Sequence, residues 1–328
     1  MLHPSLSKTP FPLITSPYEN DITNRWLPEI SNEQHHSMKA ISASQIKYWH
    51  KNSPWNWYQK YIVRSVPNKS NPNFLMGTLI HLAILEQEKF ENSVIVCNLD
   101  QRTTAFKDWI DEKFGTPIPS LEPVDSEKKS KKKETKYIVH KGKDGQYLKD
   151  GKEFFVIKQE EMDTLRAIQK SVFSHKRASA LLENSVPEIS GVAQCPVTGL
   201  FLNIRGDARG HDYFIDLKSC QDASETEVIK SICNFGYGFQ HAQYLEVGNL
   251  IEGHSRFKKF FFLFVSKEPP YECGMFHLDP HSIAWFKARR LEILKEIKDC
   301  QDSGKWARTD GEGYGKVISL PQWALKYG

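Results

Sequence analysis

The sequence predicts an α/β domain with a mixed central β-sheet flanked by helices, over residues 38–328, behind an irregular extension at 1–37. Three observations lead there. The apolar period is 3.6 residues up to about residue 184 and then changes to 2, so helices give way to strands. Helix patterns return between two groups of strands and again after them, an order that suits one sheet covered by helices. The 328 residues, 39% hydrophobic and 26% charged, are enough for a sizeable core.

Residues 1–37 are rich in Pro, Ser, Asn and His and have no clear period. Ser42 or Ser44 is an N-cap for a helix, and Ser53-Pro54 marks a break and a second short helix. Trp49, Trp55, Trp57, Tyr58 and Tyr61 cluster there, and core packing is the simpler use for them than base stacking. Residues 74–90 read as one helix, apolar nearly all round and therefore buried. A more polar helix is expected over 100–115. The charge run EKKSKKKETK at 127–136 sits in a basic loop or insert, 127–152. It is either a solvated loop or an arm that touches phosphates. One or two helices follow over 159–184.

Strand patterns then occupy EISGVAQC, LFLNIRGD and YFIDLKSC, separated by the turn signals at 196–199 and 208–211. A helix is expected over about 236–251, strands over 257–266 and 271–278, and a last helix from Asp279-Pro280 to Gly304. Ile283, Phe286, Arg290, Leu294 and Ile297 share one stripe of it. No internal repeat is visible.

Composition bounds the function only loosely. Lys plus Arg is 44 against 40 for Asp plus Glu, a net charge of +4 that neither demands nor excludes nucleic acid. No apolar run approaches the ~20 residues of a membrane span, and the first residues lack the pattern of a secretory signal. The six cysteines form no C-x-x-C pair. They read as free thiols in a reducing cytosol, with no zinc or iron–sulfur ligand pattern.

The stretch GDARGHDYFIDLKSC, residues 206–220, carries the chemistry. Side chains alternate along a strand, so Asp216 and Lys218 point one way and Tyr213, Ile215 and Leu217 the other, into a core. Asp207 ends the preceding strand, a short turn away. Two carboxylates this close repel unless a cation lies between them. Mg²⁺, a hard ion that takes carboxylate oxygens, removes that penalty. Lys218 is suited to orient or deprotonate a water, or to steady a phosphate charge. The plainer alternative is a surface hairpin with an Asp–Lys ion pair. His81, in the apolar helix, is either a satisfied core histidine or a third ligand. Gln240 and Tyr244 lie four apart on one helix face and could hold a phosphate or a lytic water.

Taken together these pieces resemble the PD-(D/E)XK nuclease superfamily, in its branch of RecB-type and phage recombination exonucleases, over residues 42–328. Ser42-x-Ser44 with the aromatic-rich helices is similar to the opening motif. Gly77-x-x-x-His81, followed by Glu86, is similar to motif I, Asp207 to motif II and Asp216-Leu217-Lys218 to motif III. Gln240-x-x-x-Tyr244 is similar to the Q-x-x-x-Y motif of the RecB-like branch. The strand at Pro187-Glu188-Ile189-Ser190 and the ending Leu320-Pro321-Gln322-Trp323 look most like exonuclease VIII, a RecE-type, lambda-exonuclease-like protein.

The resemblance implies a restriction-endonuclease-like core and a Mg²⁺-dependent exodeoxyribonuclease, with Mn²⁺ able to substitute. His81, Asp207, Asp216 and the Leu217 carbonyl would bind metal, and Lys218 would activate or position the attacking water. Gln240 and Tyr244 would line the DNA path, and Glu188 and Glu86 are further candidates for the metal's surroundings. Arg102 and Lys107 are candidates for DNA contacts by position. The expected action is from duplex DNA ends, 5′ to 3′, leaving 3′ single strands for an annealing protein in recombination. A homo-oligomeric ring of three or four subunits, a phage or mobile-element origin and a cytoplasmic location in a bacterial host cell go with it. Some relatives carry a cysteine where Ser53 stands before Pro54, so no iron–sulfur cluster is expected, nor is a membrane partner. An endonuclease of repair or defence, a non-catalytic DNA-binding module and action on RNA remain open alternatives.

Overall fold

The structure, a computed structural model, describes residues 24–28, 30–67, 73–114, 139–141, 146–149, 152–311 and 317–319. In chain order the elements are β1 (Arg25–Leu27), α1 (Asn32–Ser37), α2 (Ala43–Lys51), α3 (Pro54–Tyr58) with a π-helical turn at Gln59–Val63, α4 (Asn73–Leu85), α5 (Gln87–Ser93), β2 (Val94–Val96) and α6 (Thr104–Phe114). Then come β3 (Val139–Lys141), β4 (Gln146–Lys149), β5 (Lys152–Ile157), α7 (Gln159–Ser174), α8 (Lys176–Glu183), β6 (Val186–Gln194), β7 (Phe201–Arg209) and β8 (Tyr213–Cys220). The chain continues through α9 (Glu225–Phe235), α10 (Gly238–Glu252), β9 (Lys259–Ser266), β10 (Cys273–Phe276) and α11 (Pro280–Ser303).

A six-stranded sheet in the order β1-β6-β7-β8-β9-β10 carries the fold. Its neighbours run antiparallel except the interior pair β8 and β9, which are parallel. A parallel pair is covered on both faces, which explains the unbroken apolar run in β9. Phe260, Phe262 and Phe264 face α2, α3, α10 and α11, whereas Phe261, Leu263 and Val265 face α4, α7 and α8. The predicted mixed sheet between helices is the architecture found. All six cysteines are free thiols, and among the described residues no helix is long and apolar enough to cross a membrane.

Several elements differ from the sequence reading. The region read as irregular holds β1, an edge strand on β6, and α1, closed by a Ser31–Gln34 capping box. Trp26 anchors β1 by packing on Phe214 and Phe257 and donating to Glu252 at 2.9 Å. The expected single helix over 74–90 breaks at Glu86 into α4 and α5. A second, four-stranded sheet, β2-β5-β4-β3, takes up part of the region read as a loop, and α6 packs on it through Phe106, Ile110 and Phe114. Helix α9 occupies a stretch to which no element is assigned above, and Ser224, two early glutamates and the left-handed Gly236 (φ 63°) are its start and stop signals. The basic run 127–136 and residues 1–23 lie outside the described residues. Trp49 and Trp57 are buried in the main core, and Trp306 stacks on Trp57 at 5.6 Å, so the aromatic cluster is packing.

Candidate active site

Strands β7 and β8 pair at Ala208 with Ile215 and at Arg209 with Phe214. Farther along, the Asp207 side chain takes over: its Oδ2 accepts the Leu217 N–H at 2.7 Å. A buried backbone N–H needs a partner, so the carboxylate holds the two strands together where it also serves the site.

Asp216 and Lys218 share a side of β8. Asp216 is 1% exposed. Its Oδ1 accepts from Gln240 Nε2 at 2.9 Å, and Gln240 Oε1 accepts from Lys47 Nζ at 3.1 Å. A carboxylate only accepts and an ammonium only donates, which fixes the orientation of that amide. Lys218 Nζ lies 2.5 Å from Asp216 Oδ2 as a charge-assisted ion pair, and that carboxylate oxygen has a second lone pair for another partner.

Three further ligand types converge from α4, β6 and β7. His81 Nδ1 lies 4.0 Å from Glu188 Oε1 and 3.9 Å from Asp207 Oδ2. One ligand atom from each of the three residues lies within 4.8 Å of the others. Glu188 reaches this point through left-handed backbone, φ 51°, inside β6 between the pairs Pro187–Ala208 and Ile189–Gly206. That conformation costs a non-glycine residue of order 1–3 kcal/mol. Arg205 holds it: Nε donates to Glu188 Oε2 at 2.7 Å, and Nη1 donates to Ser190 Oγ and the Ile30 carbonyl at 3.2 and 3.3 Å.

The charges are coupled. Burial raises the Asp207 carboxyl to about 6, with Asp216 and Glu188 pushing the same way against His81 and Lys218. Burial pulls His81 down, but Asp207 and Glu188 outweigh it and leave the imidazole above its ordinary value. Burial pushes Glu188 up, but the nearby His81 and the hydrogen bond from Arg205 leave it below the usual carboxylate range. Burial opposes the Lys218 charge, yet Asp216 and Asp207 raise it above an ordinary lysine. Lys47, buried and beside Lys218, falls to about 8.

This donor set fits a hard divalent cation. It offers carboxylate oxygens and one imidazole close to a common point, with the Asp216 carboxylate nearby and an Asp207 whose charge is opposed by burial and by Asp216 and Glu188. His81, Glu188, Asp207 and Asp216 are the residues that could hold it.

The other sequence candidates fall as follows. The Leu217 N–H is engaged by Asp207. The Tyr244 hydroxyl donates to the Arg205 carbonyl at 2.7 Å and so braces β7, and its oxygen can still accept a hydrogen bond. Glu86 stands at the break between α4 and α5, paired with Lys89 at 3.6 Å, outside the ligand cluster. Arg102 precedes α6 instead of lying on it and is tied to Asp100 at 2.9 Å. Lys107 is exposed on α6, which belongs to the second sheet. Lys47 and Arg205 were missed. Lys47 follows Ser44 by one helical turn, the one signal that set it on the same face.

A cleft of about 990 Å³ opens beside the site, lined by Arg205, Gln240 and Tyr244 together with Lys39, Lys60 and Arg64. His35 and Asn203 also line it, both buried, each with one polar atom that has no hydrogen-bond partner.

A solved structure of a candidate exonuclease from Eubacterium rectale superposes with a TM-score of 0.51 over 92% of this chain and 99% of that one, at 12% identity. At that identity the likeness concerns the fold. No curated protein matches the chain significantly by sequence. The model of one family matches residues 42–313, from the Ser42 cap of α2 to beyond α11, and so takes in every residue of the cluster. By that match the chain belongs to the family described as a PDDEXK-like domain of unknown function (DUF3799), within the PD-(D/E)XK superfamily.

Proposed function

We propose that this protein is a metal-dependent deoxyribonuclease that hydrolyses phosphodiester bonds at duplex ends. The observation that carries the reading is the meeting of His81, Glu188 and Asp207, with the Asp216–Lys218 pair near Asp207, next to a cleft whose lining includes Arg205 and Gln240, which bond Glu188 and Asp216, and the basic Lys39, Lys60 and Arg64. Family membership supports a nuclease in general.

A divalent ion held by His81, Glu188, Asp207 and Asp216, with Mg²⁺ the expected one, would supply Lewis-acid charge neutralisation and a water of lowered pKa. The chain's own groups do the rest. Lys218 is held as an ammonium by Asp216, which suits it to stabilise charge on the scissile phosphate and to orient the attacking water by donation, not to abstract its proton. Gln240 keeps Asp216 oriented, and Arg205 keeps Glu188 oriented. Lys39, Lys60 and Arg64 offer phosphate contacts along the cleft.

The finer reading is 5′-to-3′ degradation that leaves 3′ single strands for an annealing protein, by a ring of three or four subunits. Its support is the order of motifs shared with recombination exonucleases. The test is a linear duplex labelled at one 5′ or one 3′ end beside a closed circle of the same sequence, each with Mg²⁺ and with EDTA. Early release of the 5′ label from the linear form alone is expected. Cutting of the circle would replace the reading by an endonuclease.

A further inference from the structure

The turn between α9 and α10 carries an exposed aromatic side chain that the fold does not require. Helix α9 ends in a left-handed Gly236, and the Tyr237 N–H returns to the Ile232 carbonyl at 3.1 Å. This closes the helix through residue 237. Nothing in the closure calls for a large apolar side chain at 235, yet Phe235 stands there 58% exposed. Its ring stacks on Tyr237 with centroids 5.5 Å apart and planes 27° apart. Tyr237 is half-buried against Phe262 and Phe264 of β9, at 6.3 and 6.2 Å.

The stack leads to the site. Lys218 Nζ lies 4.7 Å from the centre of the Tyr237 ring, and Lys47 Nζ lies 5.4 Å from it. The turn is held in place: Lys51 Nζ donates to the Asn234 carbonyl, and a Cβ on Gly236 would meet Lys47 at 3.4 Å. An exposed ring, a supporting ring and two ammonium groups thus form one chain of contacts that reaches the cluster. Flat aromatic faces next to cations are how proteins hold single-stranded nucleic acid, with the base on the ring and the phosphate on the charge.

We propose that Phe235, backed by Tyr237, is a stacking platform for a nucleobase of the substrate strand next to the scissile phosphate, and that Lys47 takes the phosphate of that nucleotide. The site is for a nucleotide of either purine or pyrimidine type, since every base offers a face to stack. It rests on the nuclease reading above.

The test uses linear duplexes carrying 2-aminopurine at one of the first three 5′ positions. Fluorescence is read with Ca²⁺ in place of Mg²⁺, and cleavage kinetics are measured with Mg²⁺, for wild type, Phe235→Ala and Phe235→Trp. Wild type should quench the probe at one position. Phe235→Ala should lose that quench and raise KM about tenfold, the scale of one lost base stack, with kcat nearly unchanged. Phe235→Trp should restore both. If wild type cuts DNA while Phe235→Ala quenches and cuts like it, the platform is overturned and the nuclease reading stands. A wild type that neither binds nor cuts DNA overturns both.

Discussion

Gln240 and Asp216 share a buried hydrogen bond of 2.9 Å between α10 and β8, and the same amide accepts from Lys47 on its other side. Gln240→Leu removes a donor from the buried Asp216 carboxylate and an acceptor from the partly buried Lys47 ammonium together. Leaving such groups unpaired costs about 1–3 kcal/mol. Urea unfolding should show a loss of that size, and the cleavage rate should fall with it. Unchanged stability would mean that the bridge carries no weight.

Arg205 should set the acid limb of activity. With Arg205 and His81 bound, Glu188 titrates below its ordinary value. Its ionised form therefore contributes stability above the unfolded pKa, lost as pH falls through the folded one. In Arg205→Met, burial is less well opposed and the carboxyl rises. The acid limb of cleavage should move to higher pH. A pH profile superimposable on wild type would contradict the arrangement.

Asp207 makes the metal's effect on stability depend on pH. Its folded pKa of about 6 lies above the unfolded value of 3.8. Between those values the folded state holds more protons, so without a divalent ion stability falls as pH rises, by up to about 3 kcal/mol for such a shift. His81, also raised, acts in the same direction above its unfolded value. A bound cation relieves the repulsion. Mg²⁺ should therefore raise the melting temperature more at pH 7.5 than at pH 5, relative to EDTA. An equal or reversed effect would show that this cluster does not take the ion.

Lys47 should shape the alkaline limb. Its ammonium, lowered to about 8 by burial and by Lys218, loses its proton as pH rises through that value. Cleavage should decline above about pH 8 in wild type. Lys47→Arg keeps the charge at any working pH, so its profile should extend to higher pH even where its rate is lower. An alkaline limb in the same place in both would assign it to another group.

Much of the site was legible because its residues obey local rules. Asp216 and Lys218 are two apart on a strand, so period 2 alone put them on one side. Asp207 and His81 followed from motif order. Lys47 was less visible because one lysine on a helix with other charges carries no local sign that the helix packs beside the cluster. Arg205 reads as an ordinary strand residue until β6 is laid beside β7. Glu188 was legible as a candidate, but its left-handed backbone was not, since only the surrounding contacts hold a glutamate there. The break at Glu86 hid in an apolar run that looked continuous. The three-residue strand β1 has too few positions for a period to show, and its place comes from Trp26 finding Phe214 and Phe257.

Asp207→Asn removes one charge from the metal cluster and leaves its shape. DNA cleavage with Mg²⁺, metal binding by titration calorimetry and melting in EDTA would be measured on the same samples of variant and wild type. The variant should be at least as stable as wild type in EDTA near pH 7.5, since a charge opposed by burial is gone, with metal affinity and cleavage both lost. A variant that cuts DNA as wild type does, or a folded wild type that binds metal and leaves DNA intact, would contradict it.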